Sequence, residues 1–116
     1  GGGGTSFFEN LADYTINDNS TVESPLSVVR SGNAPSTLRV GVTIYHTYQG
    51  DLKVDLIAPD GSIYVLHNRT GAGTDNIIGT YTVNASSELA QGTWRLRVND
   101  NAGGDVGRID KWSLQF

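Results

Sequence analysis

An all-β domain of sandwich or jelly-roll type is what this sequence predicts, and three observations predict it. Apolar and polar residues alternate with period two again and again, while helical periodicity is nearly absent. The apolar residues are rich in Val, Ile, Leu and aromatics, which suit a pleated, half-buried surface. Turns are left to Gly, Asp and Asn: there are 15 glycines but only 3 prolines, and Asp outnumbers Glu nine to three. Asp favours turns and ligates hard cations, whereas Glu favours helices.

Four segments carry the alternation most plainly. Leu38, Val40, Val42 and Ile44 face one way, and Arg39, Gly41, Thr43 and Tyr45 the other. Leu52, Val54 and Leu56 alternate with Lys53 and Asp55. Trp94, Leu96 and Val98 alternate with Arg95, Arg97 and Asn99. Trp112, Leu114 and Phe116 alternate with Lys111, Ser113 and Gln115. Each predicts a strand with one buried and one wet face, as antiparallel sheets require. Shorter strands are expected at 14–16, 26–30, 63–66 and 81–83, making eight or so, a density that suits a sandwich or jelly roll.

The connections have a mechanism. In Ala58-Pro59-Asp60-Gly61 the Pro fixes φ and the Gly accepts the left-handed position, which closes a hairpin between the Leu52 and Ile63 strands. Tyr48 to Asp51 links the Ile44 strand to the Leu52 strand. Residues 68–76 and 99–107 form longer polar, Gly-containing loops, and Pro35 is expected to start the Leu38 strand.

Composition excludes several function classes. A formal net charge of −4 and a pI near 4.8 argue against nucleic acid, whose binding needs a basic surface. With no cysteine there is no disulfide and no thiolate chemistry. No apolar run approaches the roughly 20 residues of a membrane helix. At 116 residues one domain is the natural count, with a core that needs no disulfide or zinc support. The opening Gly1-Gly2-Gly3-Gly4-Thr5-Ser6 is expected to be a flexible linker over 1–6, with the domain at 7–116. No signal peptide is present, so the chain is expected to be cytosolic or cut from a longer exported precursor, and the linker favours the second.

Candidate chemistry resides in the loop acids. Asp51, Asp100 and Asp105 are the favoured calcium ligands, with Asp75 a weaker candidate, because calcium takes 6–8 oxygens and loops supply carboxylates and carbonyls together. The alternative is that these acids cap turns through their own side chains. His46 and His67 supply too few ligands for zinc. His46 is expected at the end of the Arg39 and Tyr45 face, as a packed histidine bonded to a loop. No Gly-x-Ser-x-Gly elbow occurs, and no pair of acids is set apart as catalytic carboxylates, so no enzyme activity is expected. Trp94 and Trp112 lie in the apolar phase of their strands and are expected in the core. Asn19, Asn68 and Asn84 head glycosylation sequons that matter only in a eukaryotic secretory pathway.

The stretch from His46 to Gly61, with Gly50-Asp51-Leu52-Lys53-Val54-Asp55-Leu56 at its centre, resembles the signature of the P domain, or Homo B domain, of subtilisin-like proteases. Gly92-Thr93-Trp94-Arg95-Leu96-Arg97-Val98-Asn99-Asp100, Asp105-Val106-Gly107 and Trp112-Ser113-Leu114 are similar to the same family. Leu66 to Gly71 and Asp75-Asn76 match its bacterial branch. Where eukaryotic convertases have Arg before Gly-Asp, this chain has Gln49, which favours a bacterial protease and leaves any integrin-type reading unsupported.

The resemblance implies a jelly-roll β-sandwich of about eight mainly antiparallel strands. It implies a secreted, monomeric, non-catalytic domain C-terminal to a serine endopeptidase or another secreted peptidase. Its partner would be the catalytic domain of the same polypeptide, whose folding and stability it supports and whose access to protein substrate it influences. No nucleic acid or membrane partner is implied. Calcium in the loops is implied by the bacterial members. A different class remains open on the same architecture, a free-standing carbohydrate- or cell-surface-binding module. Exposed aromatics lined up on one sheet face would favour that class, and buried Trp94 and Trp112 the protease domain.

Overall fold

The computed structural model describes residues 7–17, 19–46, 52–69, 76–100 and 107–116. Nine strands are present among them, and no helix: β1 (Phe7–Asn10), β2 (Tyr14–Ile16), β3 (Ser20–Val28), β4 (Leu38–His46), β5 (Leu52–Ile57), β6 (Ile63–Asn68), β7 (Ile77–Val83), β8 (Gly92–Asp100) and β9 (Gly107–Gln115). The expected linker at 1–6 lies outside the described residues.

Sheet I runs β1-β9-β4-β7, with β2 also on β9; sheet II runs β3-β8-β5-β6, and every pairing is antiparallel. From β2 to β9 the chain changes sheet at every connection except β5–β6. That connectivity is a jelly roll of eight strands, with β1 as an addition. β1 pairs with Gln115 to Trp112 and β2 with Ile109 to Gly107, so the two short strands run end to end along one side of β9.

All twelve residues of the expected core are buried: Leu38, Val40, Val42, Ile44, Leu52, Val54, Leu56, Trp94, Leu96, Val98, Trp112 and Leu114. Their strands lie inside the sheets, so one face of each must meet the other sheet. Phe116 closes one end of the core, edge-on to Trp94 at 5.9 Å and to Phe8 at 5.8 Å between ring centroids. Both indole N–H groups are satisfied: Trp94 Nε1 donates to the Ala90 carbonyl at 2.8 Å and Trp112 Nε1 to Ser24 Oγ at 2.9 Å. Ser24 Oγ also accepts from Asn10 Nδ2 at 3.1 Å, which ties the start of sheet I to the edge of sheet II.

The 58–61 turn forms as expected. Gly61 N–H donates to the Ala58 carbonyl at 2.9 Å, Gly61 has φ 91°, and Asp60 Oδ1 accepts Ser62 N–H at 2.9 Å. Gly92, with φ 137°, lets β8 pass against the Pro59 ring; a Cβ there would stand 2.7 Å from a Pro59 carbon. Pro35 lies ahead of β4, its carbonyl accepting Ala85 N–H at 3.2 Å.

Edge strands are longer than the sequence led one to expect. β3 begins at Ser20, not 26, β7 at Ile77, not 81, and β1 was not anticipated. Pro25 is tolerated within β3 because that strand is an edge, with a ladder on one side only.

Candidate functional site

Strand register brings eight strand ends to one pole of the sandwich. Ile16 and His46 both lie opposite Gly107, Ser20 and Leu52 both opposite Asp100, Lys53 opposite Asn68, and Ile44 opposite Ile77. The connections β2–β3, β4–β5, β6–β7 and β8–β9 therefore all start and finish at this acid pole. Asp51, Asp75 and Asp105 belong to three of those connections and lie outside the described residues.

Asp100 is the one expected ligand that the structure describes. It is the last residue of β8, not a loop residue, and it continues the inward phase of Trp94, Leu96 and Val98. Its side chain is fully buried, and its Oδ2 is held 3.0 Å from His46 Nε2, itself fully buried. His46 corrects an expectation. It lies in the inward phase of Leu38, Val40, Val42 and Ile44, not at the end of the Arg39 and Tyr45 face. It is nevertheless packed and bonded to neighbouring chain. Its N–H donates to Asn76 Oδ1 at 3.0 Å, and its carbonyl accepts Asn76 N–H at 2.7 Å. Asn76 does this from a left-handed backbone, φ 63°.

His46, Asn76 and Asp100 thus knot β4, the start of β7 and the end of β8 beneath the acid pole. A burial this complete keeps the His–Asp pair out of contact with solvent. His67 is also nearly buried, on the inner face of β6 opposite Val54. Among the described residues no group of three or more His, Cys, Asp or Glu is placed to hold a metal.

The opposite pole is made of turns. Tyr64 Oη donates to the carboxylate of Glu88, a buried acid whose backbone carbonyl also accepts Ala34 N–H at 2.8 Å. Burial, with that bond second, raises the Tyr64 phenol above its ordinary range; burial alone raises Tyr81. Asp60, held by Ser62 N–H and then by Glu88, is lowered.

Trp94 and Trp112 are 0% and 1% exposed, and Phe7 is the only aromatic among the strongly exposed apolar residues described. Among the described residues no row of exposed aromatics lines a sheet face.

Residues 35–116 match the family model of the proprotein convertase P-domain. The chain belongs to that family. Over 112 residues this P domain is 55% identical to leupeptin-inactivating enzyme 1 of Streptomyces exfoliatus, covering 94% of the chain and 26% of that protein. Over 116 residues it is 50% identical to a transglutaminase-activating metalloprotease of Streptomyces mobaraensis, covering 98% of the chain and 15% of the relative. A calcium-dependent protease of Nostoc sp. is 35% identical over 121 residues, covering 96% of the chain and 18% of the relative. The P domain therefore spans about a quarter or less of these relatives. In fold it matches the crystal structure of a serine protease of Aeromonas sobria, with TM-score 0.68 and 21% identity over 95% of this chain and 27% of that one.

Proposed function

We propose that this P domain is the non-catalytic C-terminal accessory domain of a secreted bacterial protease, supporting the folding and stability of the catalytic domain to which it is joined. The observation that carries the reading is the shared module itself. Nearly the whole chain recurs as a minor part of proteins named as a metalloprotease and as a calcium-dependent protease. A part common to proteases of different kinds is not the part that sets their chemistry. Buried indoles favour this reading over a sugar-binding module.

Calcium at the acid pole belongs to the same proposal. Sequence and register support it: Asp51, Asp75 and Asp105 belong to connections whose flanking strands end at this pole, where β8 ends on Asp100, and carboxylates and carbonyls are the oxygens calcium takes. An ion there would tie three connections together and neutralise acids that would otherwise repel.

The test is deletion. The parent polypeptide, made with and without these residues, is compared for thermal midpoint and for peptide hydrolysis. Loss of the module is expected to lower both, and the module by itself is expected not to cleave casein. An undiminished midpoint and rate after deletion would sink the reading.

A further inference from the structure

The outer face of sheet II carries a cleft of about 310 Å³ lined by Thr21, Lys53, Asp55, Arg69, Arg97 and Asn99. Register explains it. Asn99 lies between Thr21 and Lys53 in one row across the sheet, and Arg97 lies between Glu23 and Asp55 in the next. Three cations and one acid line the cleft, with Glu23 beside Arg97 in its row but turned to Arg95 at 3.8 Å, on a protein whose net charge is −4.

The cations are held in place. The Asp55 side chain is only 3% exposed, and its Oδ2 lies 2.8 Å from Arg97 Nη2 and 3.6 Å from Lys53 Nζ. Arg97 and Lys53 remain 29% and 34% exposed, so their heads reach solvent with N–H groups to spare. Asp55 Oδ1 has no hydrogen-bond partner. Arg69 reaches the same cleft from a left-handed backbone, φ 52°, and donates through Nη2 to Asn99 Oδ1 at 2.5 Å. Such strain at a non-glycine residue is often kept where it places a functional side chain. Beside the cleft on edge strand β6, Ile63 and Val65 are 50% and 53% exposed.

We propose that this cleft binds the carboxylate of a peptide, an Asp or Glu side chain flanked by an apolar residue. The carboxylate meets Lys53 and Arg97, where bidentate and charge-assisted bonds are strongest. Asp55, buried beneath them, holds the two cations in place, and the peptide's apolar neighbour covers Ile63 and Val65. A bare oxyanion would use only the cations. A saccharide would want an aromatic platform, and the described residues in these rows include none. The inference deepens the accessory-domain reading and rests on it only for the source of the peptide, a protein met by the protease.

The experiment is an NMR titration of the ¹⁵N-labelled chain with the acetylated, amidated peptide Gly-Leu-Asp-Leu-Gly. Amide shifts are expected on β5, β8 and Arg69. The Asn version of the peptide, Lys53→Gln and Arg97→Gln should each weaken binding tenfold or more. Arg97→Gln strips Asp55 of its closest partner, so Lys53→Gln is the deciding variant if the former fails to fold. No shifts on these strands, equal binding of the Asn peptide, or tighter binding of a trigalacturonate at the same residues would overturn the proposal. None of those results touches the stability of a protease from which the module is deleted, which separates this failure from failure of the accessory role.

Discussion

The two poles of this sandwich solve the same problem by different means. At the turn pole, connections are closed by their own backbone: Gly61 to Ala58, Ala34 to Glu88, Ala85 to Pro35 and Ala90 to Gly32. A β-bridge between Asn33 and Leu89 joins two of them. At the acid pole the strands end on a buried side-chain knot, His46, Asn76 and Asp100, and the acids follow in the connections beyond. The difference teaches that excess Asp carries two roles here. Asp60 caps a turn, as its bond to Ser62 shows. Asp100 is bonded across strands, to His46.

The largest effect expected is at the core end of the turn pole. Trp94→Ala removes both the indole packed on Phe116 and the bond to Ala90, and should cost about 3–5 kcal/mol in chemical denaturation. A cost under about 1 kcal/mol would mean that the turn pole does not depend on the core. Next is calcium, which should act on one pole alone. At 100 times its dissociation constant it should add about 2.7 kcal/mol, seen as a raised thermal midpoint that a chelator reverses. Asp51→Asn or Asp105→Asn should abolish the increment and Asp60→Asn should leave it. Loss of the increment with Asp60→Asn would erase the distinction between the poles.

How much of this was legible in the sequence depends on where a strand lies. Interior strands β4, β5, β8 and β9 must bury one face, so most of their core residues could be named; Ile109 of β9 could not, because the register shift opposite Thr43 and Ile44 sets it three residues, not two, from Trp112. Edge strands carry no such demand. Ser20 to Pro25 is nearly all polar and interrupted by Pro, and three exposed residues follow Ile77, so neither stretch reads as a strand. Acid types were legible as cation ligands, but their convergence comes from pairing between strands far apart in sequence. The His46–Asp100 tie was within reach: counting two residues past Ile44 and two past Val98 puts both side chains inside.

Smaller effects sharpen the comparison further. His46→Ala should cost about 1–3 kcal/mol by leaving Asp100 buried without that partner, and should weaken calcium binding if the knot shapes the pole. His46→Asn, which restores a donor, should recover part of it; equal loss in both variants would point to packing alone. The turn pole should be the alkali-sensitive one. A phenol raised in the folded state stabilises fully below its unfolded value of about 10, and that share is lost as pH climbs through the folded value. Tyr64 and Tyr81 both shift this way, so stability should fall above about pH 10, and Tyr64→Phe should flatten the fall. A slope unchanged by Tyr64→Phe, followed by urea denaturation across that range, would remove Tyr64 as its cause.

The end-to-end run of β1 and β2 along β9 also decides which strand ends are neighbours. Phe7 lies opposite Gln115, so the start of β1 and the end of β9 are neighbours, both at the turn pole. A nine-residue strand spans about 30 Å at roughly 3.3 Å per residue, which is the distance from those strand ends to the acid pole. The start of β1 and the end of β9 thus share the pole of backbone-closed turns, a full strand's length from the four acid-pole connections.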